Sequence, residues 1–292
     1  MTSSQPLISV VIPTRNRVQY IGNCLKSVFA EIDGDYPNVE VIVIDGASTD
    51  GSVDVIKSHA DRLAYWVSEP DSGVSDALNK GVTRAQGEFI RVLGADDLLN
   101  PGWFSKMVDY MERRPELEVL IGHADFYVEE ENGTANRVDI LQPLGALKLA
   151  DFLKIGDIGW PSPEVALTRK KAYDRIGGYD TRFHYLAYLD FWLRACLSGS
   201  QCEAVPFLNT KRYLTPSSDT RSGTSVQINN ELRSVIRKYA RFSWFVRSDE
   251  AVKIGILKSA VKTAYRAGWY FDIHPVGALR RVWERRQTAD RP

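Results

Sequence analysis

Blocks of β-branched residues and blocks of helical spacing take turns along the first hundred positions. Leu7-Ile8-Ser9-Val10-Val11-Ile12 predicts a first strand stopped by Pro13, and Val18 to Phe29 then repeats apolar residues at helical spacing (Ile21, Leu25, Val28, Phe29). Val39-Glu40-Val41-Ile42-Val43-Ile44 predicts a second strand, stopped by Asp45-Gly46, and Asp50-Gly51 leads into a short helix through Val53 and Ile56. Leu63 to Val67 reads as a third, weaker strand, Ser75 to Arg84 as a helix, and Phe89 to Leu93 as a buried fourth strand. Strands and helices alternating at this pitch predict an α/β fold built on a mostly parallel, doubly wound sheet.

From Pro101 onward the pattern loosens. Trp103 to Met111 predicts a helix, Val119 to Ile121 and Asp125 to Val128 two strands, and Glu129-Glu130-Glu131-Asn132-Gly133 a hairpin tip. Ile158 to Pro163 is a rigid loop carrying Trp160. A strand (Val165 to Thr168), a helix (Lys170 to Ile176), a turn (Gly177 to Asp180), a helix (Asp190 to Leu197) and a late strand (Val205 to Asn209) follow. Lys211 to Gly223 is polar and is expected to be a mobile loop that orders over a ligand.

Charge divides the chain further. The 292 residues are neutral overall, but residues 226–292 hold 14 Lys and Arg against 6 Asp and Glu, so an acidic body carries a basic tail. The expected division is a domain over residues 1–225, with a nucleotide-binding half to about residue 100 and an acceptor half from 101 to 225. A basic, aromatic-rich helical appendage over 226–292 completes it. In that tail Trp244, Phe245, Trp269, Tyr270 and Trp283 are interleaved with Lys and Arg, a composition that suits an anionic membrane surface, with an appendage packed on the domain and its basic face in water as the alternative. Nucleic acid is not an expected partner, because the body is acidic and carries no nucleic-acid motif. Cys24, Cys196 and Cys202 are scattered and odd in number, as reduced thiols would be. With no signal-like N-terminus and no apolar run near the roughly 18–20 residues of a membrane span, a cytoplasmic protein is expected, peripheral on the inner face of the plasma membrane through its tail.

The chemistry gathers after the strands. Asp45 follows the second, Glu69 and Asp71 the third, and Asp96 and Asp97 the fourth. The carboxyl ends of strands in an open α/β sheet are where ligands bind. Carboxylates crowded on one rim repel one another unless a ligand uses them. Oxygen-only donors of this kind suit Mg²⁺ or Mn²⁺ bridging to phosphates. Neither G-x-G-x-x-G nor G-x-x-x-x-G-K-[ST] is present, so a nucleotide here is not held by a glycine-rich phosphate loop.

Four segments in order carry a family resemblance: Ile8-Ser9-Val10-Val11-Ile12-Pro13-Thr14-Arg15-Asn16-Arg17, Val41 to Gly51 (with Asp45-Gly46-Ala47-Ser48-Thr49-Asp50-Gly51), Ser68 to Gly81, and Gly94-Ala95-Asp96-Asp97. They resemble the opening strand and turn, the D-G-x-S-T-D-G segment, the E-x-D-x-G-x-x-D-A-x-N-K-G stretch and the metal-binding D-x-D variant of the family 2 glycosyltransferases, which have the GT-A fold. The resemblance covers roughly residues 7–210. It implies that Pro13, Thr14 and Asn16 hold the base of a nucleotide sugar and that Asp45 accepts from a base N–H. It implies that Asp71, Asp76, Asn79 and Lys80 surround ribose and diphosphate, with helix capping and loop bracing as the alternatives for Asp76 and Asn79. It places ribose at Asp96 and a Mn²⁺ or Mg²⁺ ion at Asp97.

The resemblance also implies a general base for inverting transfer. Gly177-Gly178-Tyr179-Asp180-Thr181-Arg182-Phe183 and Asp190-Phe191-Trp192-Leu193-Arg194 fit the family pattern, but Tyr188 stands where the base aspartate belongs. A tyrosine near pKa 10 is a poor base at neutral pH. Asp190 is the favoured base, with Glu164, His184 or a different stereochemical course as alternatives, and an N-cap as the structural reading of Asp190. Leu214 replaces a histidine common in relatives, leaving Arg212 a weak candidate for the diphosphate. The expected activity is transfer of a sugar from a nucleotide diphosphate sugar, UDP-linked by preference, to a hydroxyl of a glycan or lipid-linked acceptor in surface polysaccharide synthesis. The competing readings are a catalytically silent nucleotide-sugar or glycan-binding domain and a sugar-phosphate nucleotidyltransferase. Against the last, no glycine-rich, lysine-containing loop follows the first strand.

Overall fold

A computed structural model describes residues 6–34, 36, 38–130, 132–138, 144–147, 163–215 and 225–242. Its centre is a sheet whose first part is parallel: β3 (Tyr65–Ser68), β2 (Val39–Asp45), β1 (Ile8–Thr14) and β4 (Phe89–Val92), side by side in that order. Each strand is β-branched and short, and the helices between them return the chain for the next parallel strand. Alternation along the strands assigns the two faces. Val11, Ile42 and Ile44 point into one apolar cluster, and Ile8, Val10, Ile12, Val41 and Val43 into the other. Both faces are therefore covered, as the doubly wound reading requires.

The second face is closed by α1 (Ile21–Gly34) and α4 (Trp103–Glu112). Their buried residues, Ile21, Cys24, Leu25, Val28 and Phe29 on one and Trp103, Phe104, Met107, Val108 and Met111 on the other, repeat at helical spacing. Glu31 of α1 accepts from the backbone N–H of Gly102 and Trp103 at 2.7 and 3.0 Å, so a buried carboxylate caps the start of α4. On the first face lie α3 (Val74–Arg84), α5 (Lys170–Ile176), α6 (Ala187–Leu197) and α7 (Ser225–Phe242). A short helix, α2 (Ser52–Lys57), follows β2.

Beyond β4 the sheet becomes mixed. β9 (Ala166–Arg169) pairs antiparallel with β4, β6 (Leu117–Glu129) antiparallel with β9, β10 (Gln201–Leu214) parallel with β6, and β5 (Leu98–Leu99) antiparallel with β10. β7 (Ala135–Val138) forms the expected hairpin with β6, and β8 (Gly145–Leu147) pairs with β10.

Several boundaries differ from the sequence reading. β1 runs through Pro13 to Thr14, because the proline sits at the strand's end. The two strands expected between Val119 and Val128 are one, β6, which pairs with β10 on both sides of Gly122 through register shifts at Ala204–Leu208 and Leu208–Thr210. Lys211 to Leu214, expected to be loop, is the last part of β10, paired with Asp125 to Val128. The rest of that segment, residues 216–223, and the Ile158 to Ser162 loop lie outside the described residues. So do residues 243–292, most of the expected appendage. The part that is described, α7, is seated on the body: Val235 and Tyr239 are buried in its core.

Candidate active site

The parallel strands end level with one another, Thr14 beside Asp45 and Asp45 beside Ser68, and their loops form one rim. Asp45 is fully buried. Its Oδ2 accepts from Ser48 N at 2.9 Å and Ser68 Oγ at 2.6 Å, and its Oδ1 accepts from the Ser48 hydroxyl. The loops after β1 and β2 are laced together. Asn16 N donates to Ser48 Oγ at 2.8 Å, Thr49 N to Asn16 Oδ1 at 2.9 Å, Arg17 N to Ser52 Oγ at 2.8 Å and Val18 N to Asp50 Oδ2 at 3.0 Å. Burial alone would raise the Asp50 carboxyl; the bonds from Ser52 and Val18 outweigh it and hold the group below its ordinary value. Asn16 and Ala47 both lie in the left-handed region, at φ 53 and 56°. Asn tolerates it, whereas Ala does not readily, so this loop stores strain. Pro13 is half-buried beside it. Thr14 Oγ1 is buried at the tip of β1 with no hydrogen-bond partner among the described residues.

Asp71 shares this cleft. A Cβ on Gly46 would sit 2.4 Å from Asp71 Oδ2, so the glycine lets the carboxylate lie against the backbone next to Asp45. Asp71 Oδ1 accepts from Gly73 N at 2.9 Å. The neighbouring expectations resolve into bracing contacts. Asp76 Oδ2 accepts from Ser72 N at 3.1 Å, bracing the turn that leads into α3. Asn79 grips Tyr179 through both backbone groups, Nδ2 to O at 2.8 Å and N to Oδ1 at 2.7 Å. Lys80 sits at the rim, 2.8 Å from Glu69 and 3.5 Å from Asp76, and the Glu69 contact raises its pKa.

Asp96 and Asp97 stand at the end of β4, linked to the first loop by Arg17, whose Nε is 3.6 Å from Asp96 Oδ2. Both carboxylates converge over Gly94: a Cβ there would lie 3.0 Å from Asp97 Oδ2 and 3.1 Å from Asp96 Oδ1. Asp97 is buried, accepting from Arg212 Nε at 3.2 Å and Tyr213 N at 3.1 Å. Burial pushes its carboxyl up to about 8 against the opposing pull of Arg212, and burial likewise raises Asp96 against Arg17. A divalent cation fits this donor chemistry. Two hard carboxylate oxygens face the same side of Gly94, both groups disfavoured as anions by burial, and no group of three or more His, Cys, Asp or Glu able to hold a metal occurs among the described residues. That leaves coordination positions for water and phosphate, as Mg²⁺ and Mn²⁺ prefer.

The same place holds residues the sequence reading underweighted. Arg212 reaches Asp97 through Nε and Glu164 Oε2 through Nη1 at 3.5 Å, and both contacts lie in the stretch expected to be loop. Burial would lower its pKa, but Glu164, Asp97 and Asp96 overcome that and raise it. Arg91, hidden inside an apolar run, is fully buried over the Trp103 ring at 4.4 Å and donates to Thr210 and to Ala166 O. Burial drives it down to about 9, with Glu164 and Asp97 opposing. An arginine interrupting Phe89-Ile90-Arg91-Val92 was the signal: a charge in a buried strand needs carboxylates near it.

Asp190 corrects an expectation. It is not an N-cap, because α6 begins at Ala187; Glu231 of α7 caps that helix instead, accepting from His184, Tyr185 and Leu186 N at 2.7, 2.8 and 3.0 Å. Nor does Asp190 present a base. It is fully buried, with Oδ2 on Arg194 Nε at 2.8 Å and Oδ1 on Lys238 Nζ at 2.6 Å and Tyr239 Oη at 2.7 Å. A carboxylate fully buried against three donors is out of hydrogen-bond reach of an acceptor hydroxyl arriving from solvent. His184, the other alternative, is exposed, its Nδ1 3.3 Å from where a Cβ on Gly73 would be.

A parallel α/β sheet with an acidic rim, and a mixed sheet continuing beyond it, defines a GT-A-type nucleotide-sugar fold. The sequence matches the family described as Glycosyl transferase family 2 over residues 9–177, and the chain belongs to that family. It is 33% identical over 39% of its length to the putative teichuronic acid biosynthesis glycosyltransferase TuaG of Bacillus subtilis, spanning 45% of that protein. It is 30% identical over 66% of its length to a PGL/p-HBAD biosynthesis glycosyltransferase of Mycobacterium tuberculosis, spanning 71% of it. The fold is similar to S. aureus TarS 1-349 in complex with UDP-GlcNAc, with TM-score 0.67 and 18% identity over 89% of this chain and 72% of that one. It is also similar to the mannosyltransferase PcManGT from Pyrobaculum calidifontis in complex with GDP-Man and Mn²⁺, with TM-score 0.58 and 17% identity over 91% of this chain and 76% of that one.

Proposed function

We propose that this family 2 glycosyltransferase moves a sugar from a nucleotide diphosphate sugar, UDP-linked by preference, to a hydroxyl of a glycan or lipid-linked acceptor in cell-surface polysaccharide synthesis, with inversion. The observation that supports it most is the continuity of the rim. Asp45 and Asp71 meet at Gly46, Asn16 and Arg17 lace the first two loops, and Arg17 reaches Asp96 beside Asp97. Solved relatives of the fold bind UDP-GlcNAc, and GDP-Man with Mn²⁺. The setting rests on the envelope-polymer relatives named above.

In this reading the base lies against Pro13, Thr14 and Asn16, and the Thr14 hydroxyl gains the partner it lacks. Asp45, already committed to Ser48 and Ser68, orients the loop that meets the base and offers its remaining acceptor capacity to a base N–H. Asp71 and Asp96 hold the ribose hydroxyls. Lys80 and Arg17 offset the diphosphate's charge, while Asp76 and Asn79 keep α3 and its loop in place. Asp97, with Asp96, would hold the Mn²⁺ or Mg²⁺ ion, which supplies Lewis-acid neutralisation of the departing diphosphate. Arg212 opposes the cost of burying Asp97 and holds its carboxyl group in place beside Gly94.

Titration of UDP by calorimetry with and without Mn²⁺ tests this. Asp97→Ala is expected to abolish the Mn²⁺-dependent part of the heat, and unchanged UDP binding in Mn²⁺ would remove Asp97 from the site. The burial of Asp190 favours one second reading, a domain that binds nucleotide sugars without turning them over. Binding of UDP together with no nucleoside diphosphate released from any sugar donor would select it. No helix among the described residues is long and apolar enough to cross a membrane. Association of the basic 226–292 segment with an anionic surface is tested by flotation with phosphatidylglycerol vesicles against phosphatidylcholine ones.

A further inference from the structure

The transfer proposed above needs a group to take the acceptor's proton, and Asp190 is closed. One carboxylate near the rim is in the opposite condition. Glu164 is 7% exposed, and its Oε2 is buried without a hydrogen bond among the described residues. Its side chain makes two long polar contacts, both at 3.5 Å: Oε2 to Arg212 Nη1 and Oε1 to Tyr188 Oη. A buried carboxylate so poorly satisfied is expensive and persists where a second requirement holds it. Its main chain is anchored firmly. Thr210 Oγ1 donates to Glu164 O at 3.1 Å, and Thr210 in turn accepts from Arg91.

Its position follows from its partners. Glu164 lies in the short 3-10 turn Pro163–Val165 that leads into β9, the strand paired with β4. Arg212 spans Glu164 and Asp97 with one guanidinium, which puts Glu164 on the same side of the rim as the carboxylates after β4. Tyr188 is the more exposed of the pair. It is half-buried, on the first turn of α6, its ring edge-on to Tyr179 at 5.6 Å.

We infer that Tyr188 and Glu164 act in series as the proton acceptor of the transfer, Tyr188 touching the acceptor hydroxyl and Glu164 receiving the proton behind it. This rests on the glycosyltransferase reading and deepens it. The acceptor oxygen forms its bond to the anomeric carbon as the bond from that carbon to the diphosphate oxygen breaks, and the electron pair leaves with the nucleoside diphosphate. The hydroxyl's proton passes to Tyr188 Oη while the tyrosine's own proton passes to Glu164 Oε1. Tyrosine ends neutral and glutamate ends protonated, so the high pKa of a phenol is no obstacle: the carboxylate is the base and the phenol its extension to the surface. The long 3.5 Å contact shortens when the acceptor is in place, as is common for acid–base pairs seen without substrate.

The experiment compares wild type, Tyr188→Phe, Glu164→Gln, Glu164→Asp and the double variant Tyr188→Phe/Glu164→Gln. Two quantities are measured: UDP affinity by calorimetry in Mn²⁺, and nucleoside diphosphate released from a panel of UDP- and GDP-hexoses with simple glycosides as acceptors. Each single variant is expected to lose about 10²- to 10⁴-fold in kcat with UDP affinity unchanged. The double variant is expected to lose no more than the worse single one, because two groups in series fail together, and Glu164→Asp recovers part of the rate. Turnover retained in either Tyr188→Phe or Glu164→Gln overturns the relay while leaving the transferase reading intact. Multiplicative losses in the double variant overturn it as well, since the two groups would then act separately. A wild type that binds UDP and releases nothing from any donor overturns both.

Discussion

The two parts of the sheet are made by different physics. In β1 to β4 each strand is parallel to its neighbour and each connection is a local β–helix–β step, so the rim is assembled from loops that follow one another in sequence. In β6, β9 and β10 the pairings skip far along the chain, and charged side chains join elements that sequence order keeps apart. Asp190 shows the contrast best. It ties α6 to α7 through Lys238 and Tyr239, and through Arg194 to the carbonyls of Ile176, Gly177 and Gly178 at 2.7–2.8 Å. That turn is then gripped from the donor side by Asn79. Both halves bury apolar side chains, but the second adds a relay of ion pairs and hydrogen bonds that ends on the first half's α3.

If that contrast is real, the largest loss comes from breaking the relay at its hub. Asp190→Asn leaves Lys238 and Arg194 without their buried counter-charge and is expected to cost about 3–5 kcal/mol of stability, the usual result of removing one member of a buried pair. Thermal unfolding measures it, and UDP binding well below the melting temperature should survive. A loss below about 1 kcal/mol would mean that α7 is only loosely seated. Asn79→Ala comes next. It removes two hydrogen bonds and leaves the Tyr179 backbone groups short of partners, so about 1–3 kcal/mol is expected by urea denaturation. Because this is the joint between the two halves, it should also weaken UDP binding, which Asp190→Asn should not.

The same contrast explains what could be read from the sequence. All four rim strands and their acidic loops were legible, because periodicity and turn chemistry are local signals and the family segments lie there. For Asp76 and Asn79 the partners themselves, Ser72 N and the Tyr179 backbone, were not visible in the sequence. Arg212 was hidden, since its neighbours Lys211, Tyr213 and Thr215 read as a polar loop and only pairing with β6 makes that segment a strand. The early start of α6 was equally hidden. The carboxylate that caps it, Glu231, comes from a helix more than forty residues later.

A pH series sharpens the picture on the relay side. Asp180 is held well below its ordinary carboxyl value of 3.8, first by Arg182 and then by Lys238. A carboxyl with a depressed native pKa stabilises the fold above its unfolded pKa, and that stability is lost as pH falls below about 4 toward the native value. Arg182 is largely exposed, so screening discounts its part, and about 1–2 kcal/mol is expected in all. Asp180→Asn should flatten the stability curve between roughly pH 4 and pH 2 relative to wild type, measured by urea unfolding at each pH. A wild-type curve already flat there would show that Lys238 is committed to Asp190 alone.

The smallest effect is expected in the donor half, at Ala47. Its φ of 56° puts an ordinary L-residue in the left-handed region, which costs about 1–2 kcal/mol, while a glycine placed there gives back about 0.5–1 kcal/mol through the entropy of its unfolded chain. Ala47→Gly should therefore raise stability by less than about 1 kcal/mol. The informative quantity is UDP affinity beside it. The loop from Asp45 to Asp50 is laced to Asn16 and Val18 by hydrogen bonds that do not involve the Ala47 side chain. If those bonds set the base-binding geometry, the relaxed variant binds UDP as tightly as wild type. If affinity falls while stability rises, the strained alanine itself holds the loop in its binding shape, and the donor half too would depend on more than buried apolar surface.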